Sequence, residues 1–282
     1  MKTPIYLDYA ATTPCDPLVA NALAKYLTLD GNFANPASRS HFYGWQAEAA
    51  VEKARKQVAT LLNADTREIV WTSGATEANN LAIKGAALAR IERGKHIVSS
   101  LAEHKAVIDS VCFLEKQGFE ISWVKPEKTG EVSASAIKKV LRPDTILIST
   151  MHVNNETGAI SDIEEIASLA KSKDVLFHVD AAQSVGKLTI DTTKIQADMI
   201  SMCAHKIYGP KGIGLMYVRN GSRWMPWLTG GSQEQRRRGG TTNVPGVIGF
   251  AKALEIATRS MEQQLKTYHE LNQHLLSVAH HW

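Results

Sequence analysis

A lysine placed to act as an amine nucleophile lies in residues 201–214, SMCAHKIYGPKGIG. Met199, Ile200 and Met202 make 198–203 an apolar strand, and Ala204, His205 and Lys206 follow it before Gly209-Pro210-Lys211-Gly212 turns the chain. A sheet holds a lysine at the end of one of its strands. His205 beside it can donate to an anion, and the glycines let a ligand or other backbone come close. A partly desolvated amine next to a second cation is a usable nucleophile, although a single loop lysine carries little weight alone.

Three further strand ends add to it. Residues 175–179, VLFHV, end in Asp180, an acid 26 positions before Lys206, about one crossover away in an α/β sheet. Residues 68–72, EIVWT, lead through Ser73-Gly74-Ala75-Thr76-Glu77 into a helix, a strand-turn-helix arrangement whose free N–H groups and dipole hold a phosphate. Residues 96–100, HIVSS, deliver Glu103-His104-Lys105 at the mouth of the next helix. An amine, an acid, an imidazole and a phosphate cradle on strand ends are what pyridoxal 5'-phosphate requires: an attachment point, a partner that keeps the ring nitrogen protonated, and a flat group against the ring.

Seven segments in order carry a resemblance: LDYAATTP, NPASRSH, TSGATEANNLAIKG, EHKAV, MHVNNETG, HVDAAQSVGKL and AHKIYGPKGIG. From Ile5 to about Ala253 the chain resembles the cysteine desulfurases of iron–sulfur cluster assembly, the IscS/NifS type of the class V aminotransferases. The resemblance implies a fold-type-I transferase that binds pyridoxal phosphate and takes L-cysteine to alanine with sulfur transfer. It also implies a homodimer that works with scaffold or sulfur-acceptor proteins in the cytoplasm.

The roles it implies are specific. Lys206 joins the cofactor aldehyde and later takes and returns the substrate α-proton, and His104 stacks on the ring. Asp180 faces the ring nitrogen, Gln183 donates to the ring hydroxyl oxygen and Asn155 lies beside the ring. The backbone N–H of Ala75, with Thr76 and His205, binds the phosphate, and Thr241 reaches the phosphate held by the neighbouring subunit. Cys203 departs from the pattern, standing where the family usually has a serine; a thiol is the poorer donor. Each residue also has an ordinary reading: His104 as a helix-start residue, Asp180 as an acid closing a strand, Asn155 as a turn former and Thr76 as an N-cap. His152, His178, Trp224, Trp227 and Arg236 to Arg238 read as core or surface residues.

Composition bounds the rest. The chain has 282 residues, is 44% hydrophobic and carries 32 basic against 28 acidic residues, too small an excess for a nucleic-acid partner. Three cysteines without a CxxC pair predict neither a disulfide framework nor a zinc site, and a reducing compartment. Met1-Lys2-Thr3-Pro4 then Asp8 leaves no secretory h-region, and no apolar run is long enough to span a membrane.

In order, the chain predicts an arm (1–15), a large cofactor-binding domain (16–246) and a long helix (247–282) leading to a small C-terminal domain that is largely missing. The first helices fall at 16–29, with Leu18, Val19, Leu23 and Leu27 apolar, and at 40–62, with Trp45, Ala49, Val51, Val58 and Leu61 apolar. Strands at 68–72, 96–100, 119–124, 145–151, 175–180, 198–203 and 213–218 alternate with helices at 77–92, 105–117, 133–141 and 162–173, which predicts an α/β fold with a mainly parallel mixed sheet. In the long helix Leu254, Met261, Leu265, Tyr268, Leu271, Leu275 and Val278 form a stripe.

The family's nucleophilic cysteine and substrate-binding arginine have no counterpart in these residues. Cys15 is in the arm, Cys112 reads as core and Cys203 sits at the phosphate end of the site. The chain is therefore expected to be unable to complete sulfur transfer, and its ending, Ala279-His280-His281-Trp282, reads as a truncation or frame change. Two alternatives stand beside this one: another pyridoxal-phosphate activity, transaminase or β-elimination lyase, and a non-catalytic dimerising or scaffold-binding fragment.

Overall fold

Seven short strands pair into one sheet in the order β1-β7-β6-β5-β4-β2-β3. They are β1 (Ile69–Thr72), β2 (His96–Ser100), β3 (Glu120–Val124), β4 (Thr145–Met151), β5 (Leu176–Asp180), β6 (Met199–Cys203) and β7 (Gly214–Val218). The computed structural model describes residues 4–279. Met1 to Thr3 and residues 280–282, which carry part of the expectations about leader and ending, lie outside the described residues.

The strands from β3 through β2, β4 and β5 to β6 are parallel, whereas β7 runs antiparallel to both β6 and β1. Parallel strands require covered crossovers, and the sheet is covered on both faces. On one face α1 (Pro17–Ala24), α2 (Phe42–Leu61), α5 (Ala134–Val140), α6 (Ile163–Ser172) and the first part of α8 (Val244–Ala279) pack over Trp71, Ile148, Phe177, Ile200 and Tyr217. On the other, α3 (Ala75–Ala89) and α4 (Lys105–Glu115) pack over Val70, Ile97, Leu147, Leu176, Met199 and Met216. Phe177 and Leu176 fall on opposite faces because side chains alternate along a strand.

His178 stays in the sheet as a structural residue. Its ring nitrogens bond Ser149 Oγ at 2.8 Å and Ser201 Oγ at 2.9 Å, bridging β4, β5 and β6. Burial pushes this imidazole down to about 3, so it is neutral wherever the protein is folded near neutral pH.

The strand predictions hold to within a residue, and helix ends differ by a few. The first helix, expected to reach residue 29, ends at Ala24, and Leu18 and Leu27 face solvent instead of core. Lys25 closes it, and the Lys25 carbonyl then accepts from the Asn32 N–H, which folds 25–31 back as turns. In α2 the inward face is made by small residues, Gly44, Ala47, Ala54 and Ala59 with Val51 and Val58, while Trp45 and Ala49 are exposed. A heavy side chain in a helical period looks like core by type; at Gly44 the close approach of the Ser38 carbonyl excludes any side chain. Cys112, expected in the core, is only half-buried.

The helix α8 begins at Val244. Val247, Phe250, Ala251 and Leu254 are buried, and Phe250 meets the Trp71 ring edge-on at 5.6 Å. Beyond Arg259 the same face carries Leu265, Tyr268, Leu271, Leu275 and Val278, all at least 40% exposed, so the expected stripe lies open from there. Phe250→Ala should cost about 3–5 kcal/mol in urea unfolding. Leu271→Gln with Leu275→Gln should leave the unfolding free energy within about 0.5 kcal/mol of wild type. In sedimentation the same double variant should show less self-association.

Candidate active site

The carboxyl ends of the parallel strands open into a cavity of about 690 Å³. Ala75, Thr76, His104, Asn155, Asp180, Gln183, Cys203, His205 and Lys206 all line it. Of the residues singled out in the sequence, Thr241 alone is elsewhere: it is exposed, on the segment before α8, and outside the cavity lining.

The expected phosphate cradle falls at the start of α3. The residue before the helix is Gly74, so no side chain caps it, and Thr76, expected as an N-cap by its ordinary reading, lies inside the first turn with its hydroxyl free of that duty. The uncapped N–H groups face a cavity, which is the arrangement an anion satisfies. Backbone crowding builds the turn: a Cβ on Gly214, the first residue of β7, would sit 2.5 Å from the Gly74 Cα. Only glycine at 214 lets the turn come this near the ends of β6 and β7.

The acid is held with its proton-accepting edge fixed. Asp180 Oδ2 accepts from Asn79 Nδ2 at 2.8 Å and Oδ1 from the Ala182 N–H at 2.9 Å, with the residue 4% exposed. Asn79, on α3, was not singled out in the sequence; a polar side chain among Ala78, Leu81 and Ala82 is the signal that could have found it. Gln183 is oriented from both ends, Nε2 donating to the Ala10 carbonyl at 3.0 Å and Oε1 accepting from Lys187 at 3.2 Å. One Nε2 hydrogen remains for a ligand. The arm therefore belongs to the site, and Asp8, Ala10, Ala11 and Thr12 line the cavity as well. These arm residues fall in LDYAATTP, one of the segments that carry the resemblance, but no role in the site was assigned to them individually.

His104 serves both readings at once. Its Nδ1 accepts from the Ala106 N–H at 3.1 Å and caps α4, which fixes the ring while leaving its face to the cavity. Asn154, not Asn155, forms the turn after β4: its Oδ1 accepts from the Glu156 and Thr157 N–H groups, each at 2.9 Å. His205 contacts Thr12 Oγ1 through Nδ1 at 3.1 Å, and burial, with Lys206 and Lys211 nearby, lowers its affinity for a proton. Cys203 is fully buried at the cavity wall, and burial pushes its thiol up to about 12.

An open cradle of N–H groups, a lysine, a clamped carboxylate and an imidazole face on one cavity fit pyridoxal phosphate, and they define a pyridoxal-phosphate enzyme on an α/β sheet. A family model for the class-V aminotransferases matches residues 5–280. The cysteine desulfurase IscS of Vibrio vulnificus is 53% identical over 98% of this chain, which spans 69% of that protein. The IscS of Pseudomonas aeruginosa is 53% identical over 94% of the chain and 66% of its own length. Among solved structures, a NifS-like protein superposes with a TM-score of 0.94 at 36% identity, over 98% of this chain and 75% of that one. The structure described as SspA in complex with cysteine gives 0.85 at 43% identity, over 89% and 72% respectively. The chain belongs to the cysteine desulfurases of the class-V aminotransferase family and spans about two thirds of the length of the curated relatives it matches.

Glu103, beside His104 and without an assigned role in the sequence, is a buried acid. Its Oε1 lies 2.5 Å from Ser100 Oγ, its Oε2 has no partner, and burial pushes the carboxyl up to about 8. The unfolded chain releases this proton near the ordinary 4.5, so between there and about 8 the folded state binds more protons. Stability from this group therefore falls as pH rises through that window. Urea unfolding of Glu103→Gln should show a smaller loss between about pH 5 and about pH 8 than wild type, by roughly 1 kcal/mol or more. Cys203→Ser should tighten pyridoxal phosphate binding in an absorbance titration by a few-fold, since one stronger hydrogen bond is worth about 1 kcal/mol.

Proposed function

We propose that the chain binds pyridoxal phosphate through the residues lining this cavity and performs the proton-handling half of the desulfurase reaction on L-cysteine, without completing sulfur transfer within these 282 residues. The observation that carries it is the convergence of Lys206, Asp180 and His104 on one cavity beside the uncapped start of α3.

When bound, the cofactor supplies an electron sink conjugated to the substrate Cα. Asp180, held by Asn79 and the Ala182 N–H, keeps a proton on the ring nitrogen as its ion-pair partner. Lys206 moves the proton at the substrate Cα. His104 orients the ring from one side, Gln183 donates to the ring hydroxyl oxygen, and Ala75, Thr76 and His205 bind the phosphate. Proton transfer by a lysine needs geometry first, and the place of Lys206 in the cavity lining supports this role.

Sulfur removal needs a thiolate that can reach the substrate sulfur. Cys203 is fully buried with its thiol pushed up to about 12; Cys15 is half-buried in the arm and raised by burial beside Asp16; Cys112 sits on α4 and does not line the cavity. None of the three meets the requirement.

The functional unit is a homodimer in this reading. Ile5, Leu7 and Tyr9 of the arm and Phe42, Tyr43 and Trp45 of α2 present exposed apolar surface, and Thr241 lies open for a second copy's cradle. Iron–sulfur scaffold or sulfur-acceptor proteins in the cytoplasm are the partners the family reading supplies. Among the described residues no helix is long and apolar enough to cross a membrane.

The purified 282-residue chain should be yellow with pyridoxal phosphate, and borohydride should fix the cofactor to Lys206 by peptide mass. Lys206→Ala should abolish that adduct. With L-cysteine it should give no sustained alanine or persulfide. Multiple-turnover alanine release would overturn the incomplete-transfer reading, and pyruvate in its place would mark a β-elimination lyase.

A further inference from the structure

The connection between β7 and α8 contains a backbone anomaly. Three successive non-glycine residues, Glu234, Gln235 and Arg236, adopt left-handed φ values of 47°, 58° and 64° within the distorted turn α7 (Gln233–Arg236). Such conformations cost about 1–3 kcal/mol each and persist only where surroundings impose them. The restraint is visible. Arg55 grips both carboxylate oxygens of Glu234 at 2.9 Å, Glu234 Oε2 also accepts from the Trp71 N–H at 3.0 Å, and both side chains are over nine-tenths buried. Arg55 also donates to the Ile69 carbonyl at 2.8 Å, tying α7 to β1.

This anchoring delivers Arg238 to one place. Its Nε and an Nη bond the two carboxylate oxygens of Glu77 at 2.7 and 3.0 Å, with both side chains 18% exposed. Glu77 is in the first turn of α3 and lines the cavity. Its Oε2 accepts from the Ser73 N–H at 3.0 Å, so it shapes the turn that forms the cradle. Burial would raise the Glu77 carboxyl, but hydrogen bonds from Arg238 and Ser73 outweigh it and hold it below the ordinary carboxylate range. A carboxylate that shapes the turn thus stands on the wall of an anion site, where its charge opposes the ligand.

We infer that Arg238 is the charge partner that lets Glu77 shape the cradle without repelling a phosphate, a positioning residue for the cofactor phosphate and not one of its ligands. The inference rests on the pyridoxal-phosphate reading of this cavity. It assigns a purpose to the strained turn: α7 is forced into its shape so that a guanidinium from the far side of the sheet edge meets Glu77 bidentately. A guanidinium suits this because its planar fork covers both oxygens at once.

The test is titration of the cofactor-free 282-residue chain with pyridoxal phosphate and, separately, with pyridoxal, followed by absorbance. Arg238→Met should weaken pyridoxal phosphate binding about tenfold or more, as an uncompensated like charge would, and leave pyridoxal binding unchanged. Adding Glu77→Gln to Arg238→Met should restore most of the loss, and Glu77→Gln alone should bind pyridoxal phosphate at least as tightly as wild type. The inference is overturned if Arg238→Met binds like wild type, if both ligands weaken alike, or if the double variant stays as weak as the single one. If Arg238→Met does not fold, Glu77→Gln decides alone, and weaker binding by it counts against the inference. Failure of wild type to take up pyridoxal phosphate would instead overturn the cofactor reading.

Discussion

The parallel pairing of β4, β5 and β6 is the constraint on which the site depends. Met151, Asp180 and Ser201 stand in register across the three strands, so their carboxyl ends finish on one edge of the sheet. Everything that follows those strands is thereby delivered to the same side: Asn155 after β4, Asp180 at the end of β5, Lys206 after β6, and His104 after β2 next door. Antiparallel β7 then returns the chain beside β6, and Gly214 leaves room for Gly74 where a Cβ would clash with it. A residue of any other type at 214 would push the anion cradle away from the lysine.

Polar groups buried under that edge are paired with few exceptions. His178 is satisfied by two serines across neighbouring strands, and Asp180 by Asn79 and a backbone N–H. Such pairing is required because an unsatisfied polar group in a dry interior costs about 1–3 kcal/mol. The orphaned Oε2 of Glu103 is an exception beside the cavity, and burial there favours the neutral acid. Two buried or half-buried bidentate arginine–carboxylate pairs, Arg55 with Glu234 and Arg238 with Glu77, connect this machinery to the segment before α8.

Much of this was legible in the chain. The strands are short runs of Val, Ile, Leu and Met bounded by turn formers, and an apolar run buried on both faces has no competing reading once helices of proper length flank it. Asp180, His104, Lys206 and the Thr72-to-Glu77 turn were found because each follows such a run directly. Helix faces were read less well. Trp45 and Leu27 look like core by type but face solvent, since a period fixes which residues share a face and not what packs against it. Asn79, Asp8 and Ala10 lie in segments that carry the family resemblance, but the contacts of Asn79 and Ala10 are with residues far along the chain, and local pattern does not say what they touch.

The sequence by itself determined the order of strands and helices and the chemistry at each strand end, because those follow from local apolar pattern and from residues adjacent to it. Only the tertiary structure decided which of those ends meet, which oxygen of Asp180 is bonded to what, and that Arg238 and Glu77 stand face to face 161 positions apart. Strand order, register and ion pairing arise from contacts between distant segments, whose energies depend on geometry that no single stretch of the chain contains.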